Sequence, residues 1–119
     1  MEGIARIHGI ELHHEMHGSG EPLLLLHGGF GIGADFRLIF NSREMDTLAR
    51  RYRVIVPDLR GHGRSTNPSG KIEIAQVARD VLALCDALDV ARFSAIGVSL
   101  GAKTMLHVAT WRPSASRRW

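Results

Sequence analysis

Hydrophobic and polar positions alternate in two distinct rhythms along the chain. Ile10 to His17 (IELHHEMH) switches between apolar and polar residues, the two-residue period of a half-exposed strand. Leu23 to Leu26 is a short, wholly apolar run that ends at Gly28-Gly29, which predicts a buried strand entering a glycine turn. Met45 to Arg51 suits a short helix, and Tyr52 to Val56 (YRVIV) a second buried strand stopped by Pro57. The helical period is clearest over Ile72 to Leu88, where Ile74, Val77, Ala78, Val81, Leu82, Cys85 and Leu88 share one face. Arg92 to Ile96 predicts a third buried strand. Leu100 to Thr110 predicts a second helix with Leu100, Met105, Val108 and Ala109 on its apolar side. The order is therefore two N-terminal strands, then strand–helix three times over. That alternation predicts an α/β fold with a mostly parallel sheet, right-handed crossovers and chemistry beyond the C-terminal strand ends.

Chemistry-bearing residues stand at those strand ends. After the third buried strand comes Gly97-Val98-Ser99-Leu100-Gly101, a G-x-S-x-G on a strand-to-helix junction. Such a turn pushes the serine out at its tip. The flanking glycines have no Cβ to obstruct the tight crossing. The helix start favours a developing oxyanion, toward which the Leu100 N–H would point. After the first buried strand comes His27-Gly28-Gly29-Phe30-Gly31, and after the next, Asp58-Leu59-Arg60-Gly61-His62-Gly63-Arg64-Ser65.

In these three motifs, from about Ile10 to Thr110, the chain resembles the α/β-hydrolase superfamily, in its serine-nucleophile branch of esterases, lactonases, C–C bond hydrolases and haloperoxidase-like enzymes. The resemblance implies Ser99 as nucleophile and an oxyanion hole made by the backbone N–H groups of Gly29 and Leu100. Phe30 is the near alternative to Gly29 and a substrate-binding candidate. It also implies that the third buried strand lies beside the first, and that Asp58 to Ser65 marks the fold rather than the catalytic machinery. Gly61 and Gly63 permit a tight loop there, which Asp58 and Arg60 can tie down.

The other candidates read as structural. His8, His13, His14 and His17 fall on or beside an exposed N-terminal hairpin and are expected to be solvated. His27 is expected to be structural, Cys85 a small buried hydrophobe, and Phe36 and Phe40 core more than pocket lining. His107 lies about 12 Å along the helix from Ser99, too far to act as its base. In this superfamily the acid and the histidine follow the serine in the chain, yet after Ser99 the sequence holds no Asp or Glu and no other His.

Composition changes the picture at one end only. The 119 residues carry a formal net charge of +3, an ordinary apolar fraction of 45% and one cysteine. Setting aside Arg112, Arg117 and Arg118, basic and acidic side chains balance. The basicity thus belongs to the tail and gives no case for nucleic-acid binding. The expected organisation is residues 1–111 as the N-terminal part of a hydrolase domain, truncated after the nucleophile helix, and 112–119 as an aberrant basic tail. A frameshift or premature stop near codon 112 accounts for it. The tail reads as unable to form a buried strand, which would leave the strand at Arg92 to Ile96 as an unprotected apolar edge. No stretch approaches the roughly 20 apolar residues of a membrane span, the start lacks a secretory pattern, and the single cysteine suits a cytoplasmic setting. No cofactor and no metal are expected, since no ligand cluster has metal spacing. The expected partner is a small-molecule ester, lactone or related carbonyl compound, turned over weakly if at all by this chain.

Two alternatives remain open. Gly29-x-Gly31-x-x-Ala34 also fits a dinucleotide-binding loop, with Asp58 as the ribose-binding acid of an NAD(P) module, although Asn41 and Ser42 interrupt its first helix. The chain could also be a non-catalytic hydrolase remnant.

Overall fold

The computed structural model describes residues 1–29, 31–111 and 116–118. Its elements are β1 (Glu2–Ile7), β2 (Ile10–His17), β3 (Glu21–Leu26), a 3-10 turn (Gly33–Asp35), α1 (Phe36–Ile39), α2 (Ser42–Arg51), β4 (Tyr52–Pro57), α3 (Ile74–Ala87), β5 (Phe93–Gly97), α4 (Leu100–Trp111) and β6 (Ser116–Arg118). The sheet order is β1-β2-β4-β3-β5-β6. β1 and β2 form an antiparallel hairpin that joins β4 antiparallel, whereas β4, β3, β5 and β6 run parallel.

The leucine run follows from the two-sidedness of this sheet. Leu24 and Leu26 face α3 and α4, in a core with Leu12, Ile55, Val77, Val81, Leu84 and Val108. Leu23 and Leu25 face the opposite way, packing with Phe36, Val54 and Val56 against Phe40, Met45 and Leu48. A strand covered on both faces has no polar alternation to show. Phe36 is a core residue and Phe40 is half-buried against the same cluster, stacked on Phe36 at 6.4 Å between ring centroids. Cys85 is buried.

α2 begins earlier than its apolar spacing predicts because Asn41 caps it. The Asn41 side chain accepts from the Glu44 N–H at 2.9 Å, and the Glu44 carboxylate accepts from the Asn41 N–H at 3.0 Å. That reciprocal capping box adds a turn ahead of Met45.

Two expectations need correction. First, the end of the chain does reach the sheet: β6 lies parallel to β5, pairing Phe93 with Ser116 and Ser94 with Arg118 across an irregular register. A three-residue edge strand is held by backbone hydrogen bonds and needs no apolar run, which is why a basic segment can supply it. The rest of the tail, residues 112–115 and 119, lies outside the described residues. Among the described residues the β5–β6 pairing stops at Ser94, and Ile96 near the end of β5 and Val98 just after it are exposed. Second, His14 is buried rather than solvated, with its ring against Gly3 on β1 and no hydrogen-bond partner for Nδ1 among the described residues. It shares the inward parity of Ile10 and Leu12 on β2. Burial, first of all, holds it below the ordinary histidine value.

Candidate active site

β3 and β5 are neighbours, with Leu26 opposite Gly97, so the loops leaving their C-terminal ends meet. The Val98 N–H still donates to the Leu26 carbonyl at 3.0 Å. One residue later the chain turns: Ser99 has φ of 50°, the left-handed region that L residues adopt at a cost. α4 starts at once, with the Gly101 N–H donating to Val98 O at 2.9 Å and the Lys103 N–H to Ser99 O at 3.0 Å.

Close approach explains the flanking glycines. A Cβ on Gly97 would stand 2.6 Å from the Ala102 nitrogen, and a Cβ on Gly101 would collide with the Leu26 carbonyl oxygen. Without a methyl group at Gly97 the first turn of α4 can fold back over the end of β5, and without one at Gly101 it can press against the end of β3. The result is an exposed Ser99 at the tip of the turn, followed by Leu100 as the first residue of a twelve-residue helix. The Leu100 N–H therefore belongs to the first-turn donors that have no intrahelical carbonyl to reach.

The glycine loop after β3 abuts this turn. A Cβ built on Gly28 would lie 3.7 Å from Ser99 Cβ, and one on Gly29 would lie 3.9 Å from Leu100 Cβ. The Gly31 N–H donates to Gly28 O at 3.1 Å, closing the loop. Ser99, Leu100 and Gly29, proposed from sequence as one group, are thus brought together. Phe30 lies outside the described residues.

His27 anchors the loop from below. Its Nε2 accepts from the Leu59 N–H at 2.9 Å, and its Nδ1 donates to the Gly28 carbonyl at 2.7 Å. Both partners have fixed roles, so the ring is the neutral Nδ1–H tautomer. Burial above all, with His62 5.1 Å away between centroids, holds its pKa low against the opposing pull of the Gly28 bond. A ring committed at both nitrogens does not serve as a base.

The loop from Asp58 to Ser65 is equally committed. Asp58 Oδ1 accepts from the Gly33 N–H at 2.8 Å, and Oδ2 from the Arg64 N–H at 3.2 Å and Arg64 Nε at 3.3 Å. Burial pushes the Asp58 carboxyl up, but these donors outweigh it and leave the pKa below its usual value. Ser65 Oγ donates to the Asp58 carbonyl at 2.5 Å and accepts from the His13 N–H at 2.9 Å. Gly63, at φ of 53°, sits where a Cβ would stand 2.6 Å from Asp58 Oδ2. Arg60 reaches across to α3, donating from Nε to Asp80 Oδ2 at 2.7 Å and from Nη2 to Asp80 Oδ1 at 3.0 Å. Sequence reasoning missed Asp80. Its signal was an acid set within the buried face of α3, between Val77 and Val81.

His107 sits two turns along α4, its Nδ1 3.2 Å from Lys103 O and its ring edge-on to Trp111 at 5.7 Å. His8 is exposed yet partnered, with Nδ1 3.2 Å from Asp80 Oδ1. Among the described residues no group of three His, Cys, Asp or Glu side chains could share a metal ion, and no helix is long and apolar enough to cross a membrane.

Residues 21–115 match the family model described as the alpha/beta hydrolase fold, and the chain belongs to that family. It is 35% identical over 109 residues to a 2-hydroxymuconate semialdehyde hydrolase of Pseudomonas sp. (strain CF600), covering 85% of this chain and 35% of that protein. It is 33% identical over 105 residues to a soluble epoxide hydrolase of Corynebacterium sp. (strain C12), covering 88% of this chain and 35% of the relative. Among solved structures, Cfl2 of Burkholderia cenocepacia superposes with a TM-score of 0.87 at 28% identity, over 98% of this chain and 39% of Cfl2. The chain thus spans about a third of the length of these curated relatives.

Membership of this family sets the dinucleotide-binding alternative aside, and the geometry agrees. The glycine loop leads into a 3-10 turn and a four-residue helix that ends at extended Phe40, with no long helix starting on the loop. The Asp58 carboxylate is taken up by Gly33 and Arg64.

Proposed function

We propose that this chain carries the nucleophile and oxyanion half of a serine hydrolase acting on a small ester, lactone or related carbonyl compound. The observation that carries the reading is the strained, exposed Ser99 at a strand-to-helix turn, with the Gly28-Gly29 loop packed against it. In the proposal Ser99 Oγ attacks the carbonyl carbon. The N–H groups of Leu100 and Gly29 hold the oxyanion of the tetrahedral intermediate, and collapse expels the leaving group and leaves an acyl-serine for water to hydrolyse.

The relatives hydrolyse chemically different bonds, and the nucleophile type chooses between them. A serine that opened an epoxide would be left as an ether, which water does not cleave at neutral pH. A serine that attacks a carbonyl is left as an ester, which it does. Ser99 therefore favours carbonyl substrates over epoxides. The same reading takes the base and its orienting acid from polypeptide outside residues 1–119, consistent with relatives nearly three times as long. The one buried cysteine suits a cytoplasmic home.

Added imidazole can stand in for the missing base. With an activated aryl ester and imidazole, the chain should exceed its Ser99→Ala variant by about tenfold in ester cleavage, less than the roughly 10²–10⁴-fold that a positioned general base contributes. Equal rates for the two proteins would reject the nucleophile assignment.

A further inference from the structure

A second cleft shares no residue with the Ser99 site. It measures about 440 Å³ and is lined by His8 from the β1–β2 turn, Arg60, Ser69, Lys71 and Glu73 from the segment before α3, and Gln76 and Arg79 from α3. We propose that it binds a small anion bearing a phosphate group.

Arg60 lines this cleft with hydrogen-bond donors held in place. Arg60 is 7% exposed, and its guanidinium is immobilised by the two bonds to Asp80 and a third, from Nη1 to Asn67 Oδ1 at 3.3 Å. Those bonds leave one N–H on each terminal nitrogen. The Arg79 guanidinium carbon lies 5.4 Å from the Trp111 ring centroid. Arg79 is exposed and only loosely restrained by that contact, whereas the donors of Arg60 are held in place and meet an anion with little further loss of side-chain freedom. Lys71 is exposed and adds a further cation.

Arg60 and Asp80 neutralise each other, so Arg60 contributes directed N–H donors and the net charge comes from Lys71 and Arg79 against Glu73. Asp80 is taken up by Arg60, Gln76 Nε2 at 3.0 Å and His8. Glu73 remains as one negative charge against Lys71 and Arg79, so the cleft keeps a positive balance. Cations arriving from two segments suit a tetrahedral, multiply charged oxyanion better than a planar carboxylate, which one arginine fork satisfies. The volume leaves room for an organic remainder beyond the phosphate. Nothing in this reading depends on Ser99.

The test is titration of the chain with inorganic phosphate at constant ionic strength, followed by amide and side-chain NMR shifts. Acetate and chloride serve as comparison anions. The expected result is saturable binding of phosphate with a Kd of about 1 mM or tighter, localised to residues 69–79 and His8 and weakened about tenfold in Lys71→Gln/Arg79→Gln. If that double variant fails to fold, Lys71→Gln alone, at an exposed position, should weaken phosphate about threefold. Shifts that are equal for all three anions, or unchanged by the substitutions, would overturn the site. Acetate binding as tight as phosphate would overturn the phosphate assignment.

Discussion

At Gly101 two effects of known size oppose each other. Alanine is favoured over glycine in a helix by about 1 kcal/mol. At this position, however, the added methyl group meets the Leu26 carbonyl oxygen, a backbone atom that cannot rotate away. Overpacking costs about 1–3 kcal/mol, and a methyl group inside contact distance of a fixed backbone carbonyl lies in the upper part of that range, so the clash wins. Gly101→Ala should lower the urea midpoint, by about 1–2 kcal/mol of net stability. A stabilised variant would show that α4 does not press on β3 as described. Residues of this kind were legible in the sequence because the motif from Gly97 to Gly101 is contiguous and states its own geometry. His14 and Asp80 are a different matter. What decides them is which side of a strand or helix faces inward, and for Asp80 a partner 20 positions away. Strand parity with Ile10 and Leu12 was the available clue for His14, but a run of three polar residues hid it.

Elements are held to one another chiefly by apolar packing, and a buried ion pair adds to it. Arg60 and Asp80, both nearly inaccessible, fasten the loop after β4 to the middle of α3. The Arg60 guanidinium is held above its ordinary pKa, first through its hydrogen bonds to Asp80. Asp80→Asn keeps the shape and removes the charge, leaving Arg60 buried without its counter-ion. The expected cost is about 3–5 kcal/mol, measured as chemical-denaturation free energy. A loss below about 1 kcal/mol would mean that the pair behaves as an exposed one. Most elements were legible because each buried strand is an unbroken apolar run and α3 has a clean helical period. The start of α2 was not, since a capping box rather than an apolar residue sets it. β6 was not either, because an edge strand of backbone pairs leaves no hydrophobic trace.

On the scale of the whole molecule, a two-faced sheet brings the ends of β3 and β5 side by side and so assembles a turn, a loop and a helix start into one small surface. The local motifs that make up the candidate site, around Ser99 and at Gly28-Gly29, could be read from the sequence alone, and the structure places them side by side. The base could not be read, because His107 is directed along α4 and no Asp, Glu or further His follows Ser99 in the sequence. The central claim is that Ser99 is a nucleophile beside an oxyanion-binding surface. Intact-mass and peptide analysis after incubation with an activated organophosphonate, with imidazole present as the base, tests this reading most directly, since the tetrahedral adduct places an oxygen where the oxyanion would lie. A single adduct is expected, on the peptide containing Ser99 and absent in Ser99→Ala. No adduct, or an adduct carried by another residue and retained in Ser99→Ala, would contradict it.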